Sequence, residues 1–324
     1  MELANSKSNS RGKSIRNFLG EYYTWIMFIV LYIVAGIIVP NLFTSTTMVT
    51  ILVQGTTVCL LAFGMTFAML VGEIDMSIVA VAAFSPMISI MLWEAGLPVP
   101  LAMILVLLFG VVVGIFNGLM VTKMKIPSLI QTVAVWWMLS GFVLIVTKGA
   151  AKTGLPDAWM FMGRFNVIGR IPLLIPFFVL VLILAIIFAR RTVTGRRMYL
   201  VGGNADACAA MGIPVDRIKI IAFVMSGVFA ALAGYVLSAR MGFVSARFAV
   251  EWLMPAIAAP VIAGVSMNGG KGNLINVIAG AYLVQLIVMI VRTGGVGGYY
   301  TDFVQGVIVF IAILINTFRE RLSQ

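Results

Sequence analysis

Ten stretches of mostly apolar residues, many of them close to twenty long, follow one another between residues 22 and 318. A helix needs about 20 apolar residues to cross the hydrocarbon core of a bilayer. Lipid offers no partner to a backbone N–H or C=O, so a spanning segment must satisfy its own, which a helix does. The pattern therefore predicts an all-α polytopic membrane protein. Charge agrees: 10% of the 324 residues are charged and 62% are hydrophobic, where a soluble domain carries about 25% charged residues. No length is left for a large soluble domain.

The spans are placed at 22–39, 48–71, 76–93, 99–122, 127–147, 171–189, 218–240, 252–266, 273–291 and 299–318. Residues 1–20 form a basic tail, 21–318 one transmembrane domain with a long inside loop at 190–219, and 319–324 a second short tail. With about ten transmembrane helices and both termini inside, 15 of the 22 basic residues fall on the inside and seven outside. That asymmetry is the positive-inside pattern, so the inside is the cytoplasm. The net charge of +11 is divided among short loops. It orients the chain in an anionic membrane rather than marking a nucleic-acid surface. The first span ends in Pro40-Asn41 without a small-residue cleavage site, so it is read as a retained span and not a signal peptide.

There is no histidine, which removes the usual acid–base residue, the Ser-His-Asp triad and histidine metal sites. The two cysteines, Cys59 and Cys208, lie in a span and in the inside loop and show no metal-binding spacing. Cys208 is read as a small packing residue. Within the loop a short helix is expected over 205–211: Asn204 is an N-cap residue, alanines follow, Gly212 suits the left-handed position after the helix, and Pro214 stops it. So short a helix is marginal alone and must pack on the protein's own base or on a partner. The span at 252–266 is short and interrupted by Pro255 and Pro260. Gly110, Gly114 and Gly118 recur every fourth residue and allow close helix packing.

Three stretches carry a resemblance. The loop reads T-G-R-R-M-Y-L-V-G-G-N over 194–204 and then D-A-C-A-A-M-G over 206–212. The second part resembles the E-A-A-x-x-x-G coupling loop of ABC importer permeases, with Asp for Glu and Cys for the second Ala. The first resembles the run that leads into that helix in ribose-type sugar permeases. A Gly-containing break, G-M-T-F-A-M-L-V-G-E-I-D-M-S over 64–77, is similar to that family's G-M-T-x-x-x-x-x-G-G-I-D-L-S, with Glu73 in place of a glycine. A second break, I-A-A-P-V-I-A-G-V-S-M-N-G-G-K-G over 257–272, is similar to I-A-A-V-V-I-G-G-x-S-x-x-G-G-x-G, Pro260 and Ala263 departing from it. Its G-G-K-G lacks the spacing of a phosphate loop and is read as a tight cytoplasmic turn.

The resemblance implies a permease subunit of an ATP-driven importer in a bacterial inner (plasma) membrane, carrying ribose or a related pentose or furanose such as autoinducer-2. It implies three partners: cytoplasmic ABC ATPase subunits holding the ATP–Mg, a periplasmic or lipid-anchored solute-binding protein, and a second permease copy or paralogue. This chain would bind no cofactor and is not expected to be an enzyme. Asn204, Asp206, Ala207, Ala210 and Gly212 would contact the ATPase. Candidates for the translocation path are Glu73, Asp75, Ser77, Gln54, Gln131, Trp137, Ser266 and Asn268. Asp75 is read first as the cap of the third span, and the Trp136-Trp137 pair first as core packing or lipid contact, with the path as the second reading of each. Arg240, Arg247 and Arg292 would meet an acidic rim on the binding protein or snorkel to lipid headgroups. The alternative is a stand-alone secondary transporter or channel, which needs a mid-membrane ion or proton site; the candidates for one are few, Glu73 and Asp302.

Overall fold

The computed structural model describes residues 22–37, 39, 42–293 and scattered positions between 300 and 314. The helices in chain order are α1 (Tyr22–Ile37), α2 (Ser45–Leu70), α3 (Ile78–Glu94), α4 (Val99–Lys123), α5 (Ser128–Thr147) and α6 (Asp157–Arg164). There follow α7 (Leu174–Arg191), α8 (Val193–Gly203), α9 (Ala205–Ala210), α10 (Val215–Met241), α11 (Leu253–Ile262) and α12 (Leu274–Thr293). Four very short strands complete the described residues. β1 (Lys152–Thr153) pairs antiparallel with β4 (Phe243–Val244), and β2 (Asn166–Ile168) with β3 (Ile171–Pro172). The tails at 1–20 and 319–324, and most of the expected span at 299–318, lie outside the described residues.

Six helices among those described are long and apolar enough to cross a membrane: α2, α4, α5, α7, α10 and α12. Helices α1 and α3 are shorter. The expected span at 252–266 is corrected: α11 covers only Leu253–Ile262, entered through a 3-10 turn at Val250–Trp252. Ten residues of helix rise about 15 Å, half a bilayer core. Pro260 removes one N–H donor inside it. The chain then turns at Gly264 (φ +80), and the terminal carbonyl of Ile262 accepts from the Tyr23 hydroxyl of α1 at 2.6 Å.

Helices α2 and α10 form the centre, and α3, α4 and α12 pack on them. The glycine stripe explains the α4–α10 contact. A Cβ on Gly114 would stand 2.6 Å from the Cα of Val224, and one on Gly118 2.7 Å from the Cα of Ile220. Only the missing side chains let the two backbones meet. By contrast α4, α5 and α7 leave large apolar residues exposed, among them Ile104, Trp137, Ile145 and Leu184. In a bilayer such faces meet lipid.

The loops and short elements gather at two ends. At one end lie the turns after α2, α4 and α11 together with α8 and α9, tied by contacts such as Lys123–Asp216, Lys219–Glu73 and Arg190–Asn273. At the other lie α6, the two strand pairs and the Lys152–Glu94 ion pair. Hence every segment read as cytoplasmic in the described residues gathers at one end, here termed the basic end.

Candidate functional site

The basic end is built from helix terminators. Helix α2 closes with Gly72 at φ +76, Gly72 N–H bonding to Met69 O and Glu73 N–H to Ala68 O. Helices α9 and α11 repeat the pattern at Gly212 (φ +77) and Gly264. This paired bonding is the Schellman closure, which satisfies the last carbonyls and needs a residue that takes positive φ cheaply.

The loop at 190–219 is two helices rather than one. Thr192 ends α7 and caps α8, its hydroxyl accepting from Gly195 N–H at 3.0 Å. Asn204 then caps α9, its Oδ1 accepting from Ala207 N–H at 2.9 Å. The helix ends at Ala210, one residue short of the expected limit, with Met211 as its C-cap. Cys208 is 2% exposed and is the residue by which α9 rests on the protein's own base. Asp206, Ala207, Ala210 and Gly212 all face outward, as do Leu200 and Met211. The result is a small capped helix presenting a low, partly apolar surface.

Behind it, three glycine-bearing turns meet backbone to backbone. Gly270 N–H donates to the Leu70 carbonyl at 3.1 Å. A Cβ on Gly202, near the end of α8, would collide with that same carbonyl, and one on Gly269 would stand 2.7 Å from Gly72 N and 2.9 Å from the Cα of Gly202. The two breaks noted in the sequence thus form one junction, with α8 as its third member. Gly202 and Gly269 were legible only as flexible residues. Nothing local announces that they meet.

Beside the junction the first break is held by side chains. Asp75 is 1% exposed. Its Oδ1 accepts from Ser77 N–H (3.0 Å) and Ser77 Oγ (2.5 Å), and its Oδ2 accepts from Ser226 Oγ of α10 at 2.7 Å. Ser77 Oγ in turn accepts from Asn117 Nδ2 of α4 at 2.9 Å. The N–H groups of Ile74 and Met76 find Ser128 Oγ and Thr132 Oγ1 of α5. Of the two readings of Asp75, its bond to Ser77 N–H at the start of α3 has the form of a cap, although the cap residue is Ser77 itself. Its carboxylate is enclosed and not at an open surface in this conformation. Glu73 points the other way, to Lys219 of α10. Both line an open cavity of about 340 Å³ with Thr122, Lys125, Ser128 and Asp216.

The remaining path candidates are spread out. Ser266 is 7% exposed and accepts from Asn268 N–H at 3.2 Å, and Asn268 is exposed at the basic end. Gln54 lies in the other half of α2 and accepts from Gln285 Nε2 of α12 at 2.8 Å. Gln131 is nearly buried on α5, whereas Trp137 is 65% exposed and stacks on Trp136. Among the outer arginines Arg247 is exposed, Arg240 is partly buried at the end of α10, and the Arg292 side chain lies outside the described residues. Ser226 and Lys219 were not anticipated as partners of Asp75 and Glu73. Each is an ordinary residue of a long helix until the fold brings it to the break.

Comparison with known proteins follows the same outline. Residues 47–313 match the family described as "Branched-chain amino acid transport system / permease component". The chain is 30% identical over 318 residues to the ribose import permease protein RbsC of Haemophilus influenzae, covering 96% of this chain and 98% of that protein. It is 32% identical over 289 residues to the Bacillus subtilis ribose import permease protein RbsC, covering 89% of each. It is also 32% identical over 294 residues to the autoinducer 2 import system permease protein LsrC of Yersinia enterocolitica, covering 90% and 81%. No solved structure matches.

Proposed function

The chain belongs to the branched-chain amino acid transport system permease family, a multi-pass protein of the bacterial inner membrane, and from that premise we propose that it is the membrane subunit of an ATP-driven importer of a small sugar. The substrate class is ribose or a related pentose or furanose, as the names of its relatives suggest. Helix α9 is the element that receives a separate ATPase. The observation that carries this reading is the arrangement of α9: capped at both ends, anchored by one buried cysteine and otherwise exposed at the basic end.

The chemistry follows from the layout. ATP is hydrolysed on the partner, and its closure displaces α9. Because α9 continues through Pro214 into α10, and α8 is wedged against both breaks, a displacement at α9 reaches the centre of the bundle through packed backbone. Coupling requires that α9 contact the ATPase differently in two states of the permease. A solute-binding protein delivers substrate to the opposite end, and a second permease copy or paralogue completes the path. Co-expression with the ATPase and binding protein of the same operon, followed by purification and ribose uptake in vesicles, tests this. Retention of the ATPase and ATP-dependent uptake are expected. Uptake by the chain alone, without ATPase, would instead indicate a stand-alone transporter.

A further inference from the structure

Helix α10 begins immediately after α9 and Pro214, and two ion pairs hold its start. Asp216, in the first turn, meets Lys123 at the end of α4 with both side chains about half exposed. One turn further on, Lys219 meets Glu73. The second pair is less exposed, at the edge of the open cavity: the Lys219 side chain is 23% exposed and that of Glu73 12%. The two pairs differ in what they join. Lys123 ends one long helix and Asp216 starts another, so that contact ties two rods. Glu73 sits in the break that follows the closure of α2, and two residues later the chain enters the Asp75 network at the head of α3. An exposed pair contributes little. A pair partly withdrawn from water interacts more strongly than a fully exposed one.

We propose that the Glu73–Lys219 ion pair is the strut that carries displacement of α9 and the start of α10 into the break between α2 and α3. This rests on the reading of α9 as the ATPase-docking helix. Glu73 and Lys219 are positioning residues: they need not touch the solute. Three features support the role. The backbone of Glu73 is fixed by its bond to Ala68 O, so the carboxylate is presented from a rigid base. Lys219 lies one helical turn from the α9–α10 junction, on the same continuous helix α10. The cavity of about 340 Å³ beside the pair, between the α4–α5 turn and α10, gives the start of α10 space to shift.

The test uses the assembled importer with its ATPase and binding protein, reconstituted in vesicles. The variants are Glu73→Gln, Lys219→Gln, and the double exchange Glu73→Lys with Lys219→Glu. ATPase co-purification, ATP hydrolysis and uptake are all measured. Each neutralised variant is expected to retain the ATPase and hydrolyse ATP, while transport per ATP falls at least about fivefold, the lower edge of a typical coupling energy. The double exchange is expected to recover most of that loss, because an acid and a base again face each other. Lys123→Gln, at the exposed pair, is expected to leave transport per ATP unchanged. Normal transport per ATP in both neutralised variants overturns the proposal, as does an exchange no better than they are. Should the neutralised variants assemble poorly, the exchange decides alone: restored coupling supports the strut, and an assembled but uncoupled exchange removes it. If instead the unaltered chain fails to retain the ATPase, the α9 reading has failed, which is a different result.

Discussion

At the scale of single residues the basic end is governed by what cannot be added. Gly202 and Gly203 are neighbours and look alike in the sequence. A Cβ on Gly202 meets the Leu70 carbonyl, a backbone atom that has nowhere to go, whereas nothing lies within 4 Å of one on Gly203. Gly202→Ala is therefore expected to abolish or sharply reduce folded protein, and Gly203→Ala to leave yield and melting temperature close to normal, measured by size-exclusion chromatography and thermal unfolding in detergent. Equal behaviour of the two would refute the junction. Asp75 is governed by what must be satisfied. Asp75→Ala leaves the buried Ser226 hydroxyl and the Ser77 N–H and O–H donors without their acceptor, at about 1–3 kcal/mol for each donor left unsatisfied. Asp75→Asn keeps an acceptor for one of them, so its loss of thermal stability should be clearly the smaller. The same or a reversed order would show that the carboxylate does not hold these groups.

At the scale of the element, α9 is six residues, about 9 Å long. Its order comes from its caps and from Cys208. Asn204→Ala should cost about 1 kcal/mol of local helix stability. A side chain at Gly212 would be held at φ +77, where a non-glycine residue is strained by roughly 1–2 kcal/mol. Neither change touches the core. Gly212→Val and Asp206→Lys are accordingly expected to insert and fold, to retain binding-protein docking, and to lose ATPase retention or ATP-driven uptake. Co-purification beside vesicle uptake measures both, and normal assembly with normal uptake in the two variants would remove α9 from this role. The glycine stripe on α4 acts at the same scale, since it fixes how closely α4 approaches α10 and so where the Asn117 amide meets Ser77.

At the scale of the molecule, the described segments separate into two ends. The basic end carries α8, α9 and both breaks, and the opposite end carries α6, the strand pairs and Arg247. An exposed arginine on a surface offered to a soluble partner chiefly changes association rate and its salt dependence. Arg247→Glu is thus expected to slow association of the binding protein and flatten its dependence on ionic strength, with dissociation little changed, by surface plasmon resonance at several salt concentrations. An unchanged association rate and salt dependence would assign Arg247 to lipid headgroups instead. The strut proposed above belongs to this scale too, for it joins the start of α10 to the break between α2 and α3.

What the sequence alone determined is whatever depends on a short window. The apolar runs identified an all-α membrane protein and the six helices among the described residues that are long enough to cross a bilayer, because burial of the backbone in lipid is a demand on each segment by itself. Asn204, Gly212 and Pro214 announced α9 because caps and terminators act within a few residues. The tertiary structure decided which faces are buried. In lipid both the packed and the outward face of a helix are apolar, so no periodicity separates Trp137 from Phe67, or marks Ser226 as the partner of Asp75. It also decided that α11 stops half-way, since Pro255 and Pro260 signal interruption without stating where the chain goes next. And it alone joined Gly72, Gly202 and Gly269, for a glycine's permission to approach closely names no partner until the backbones have met.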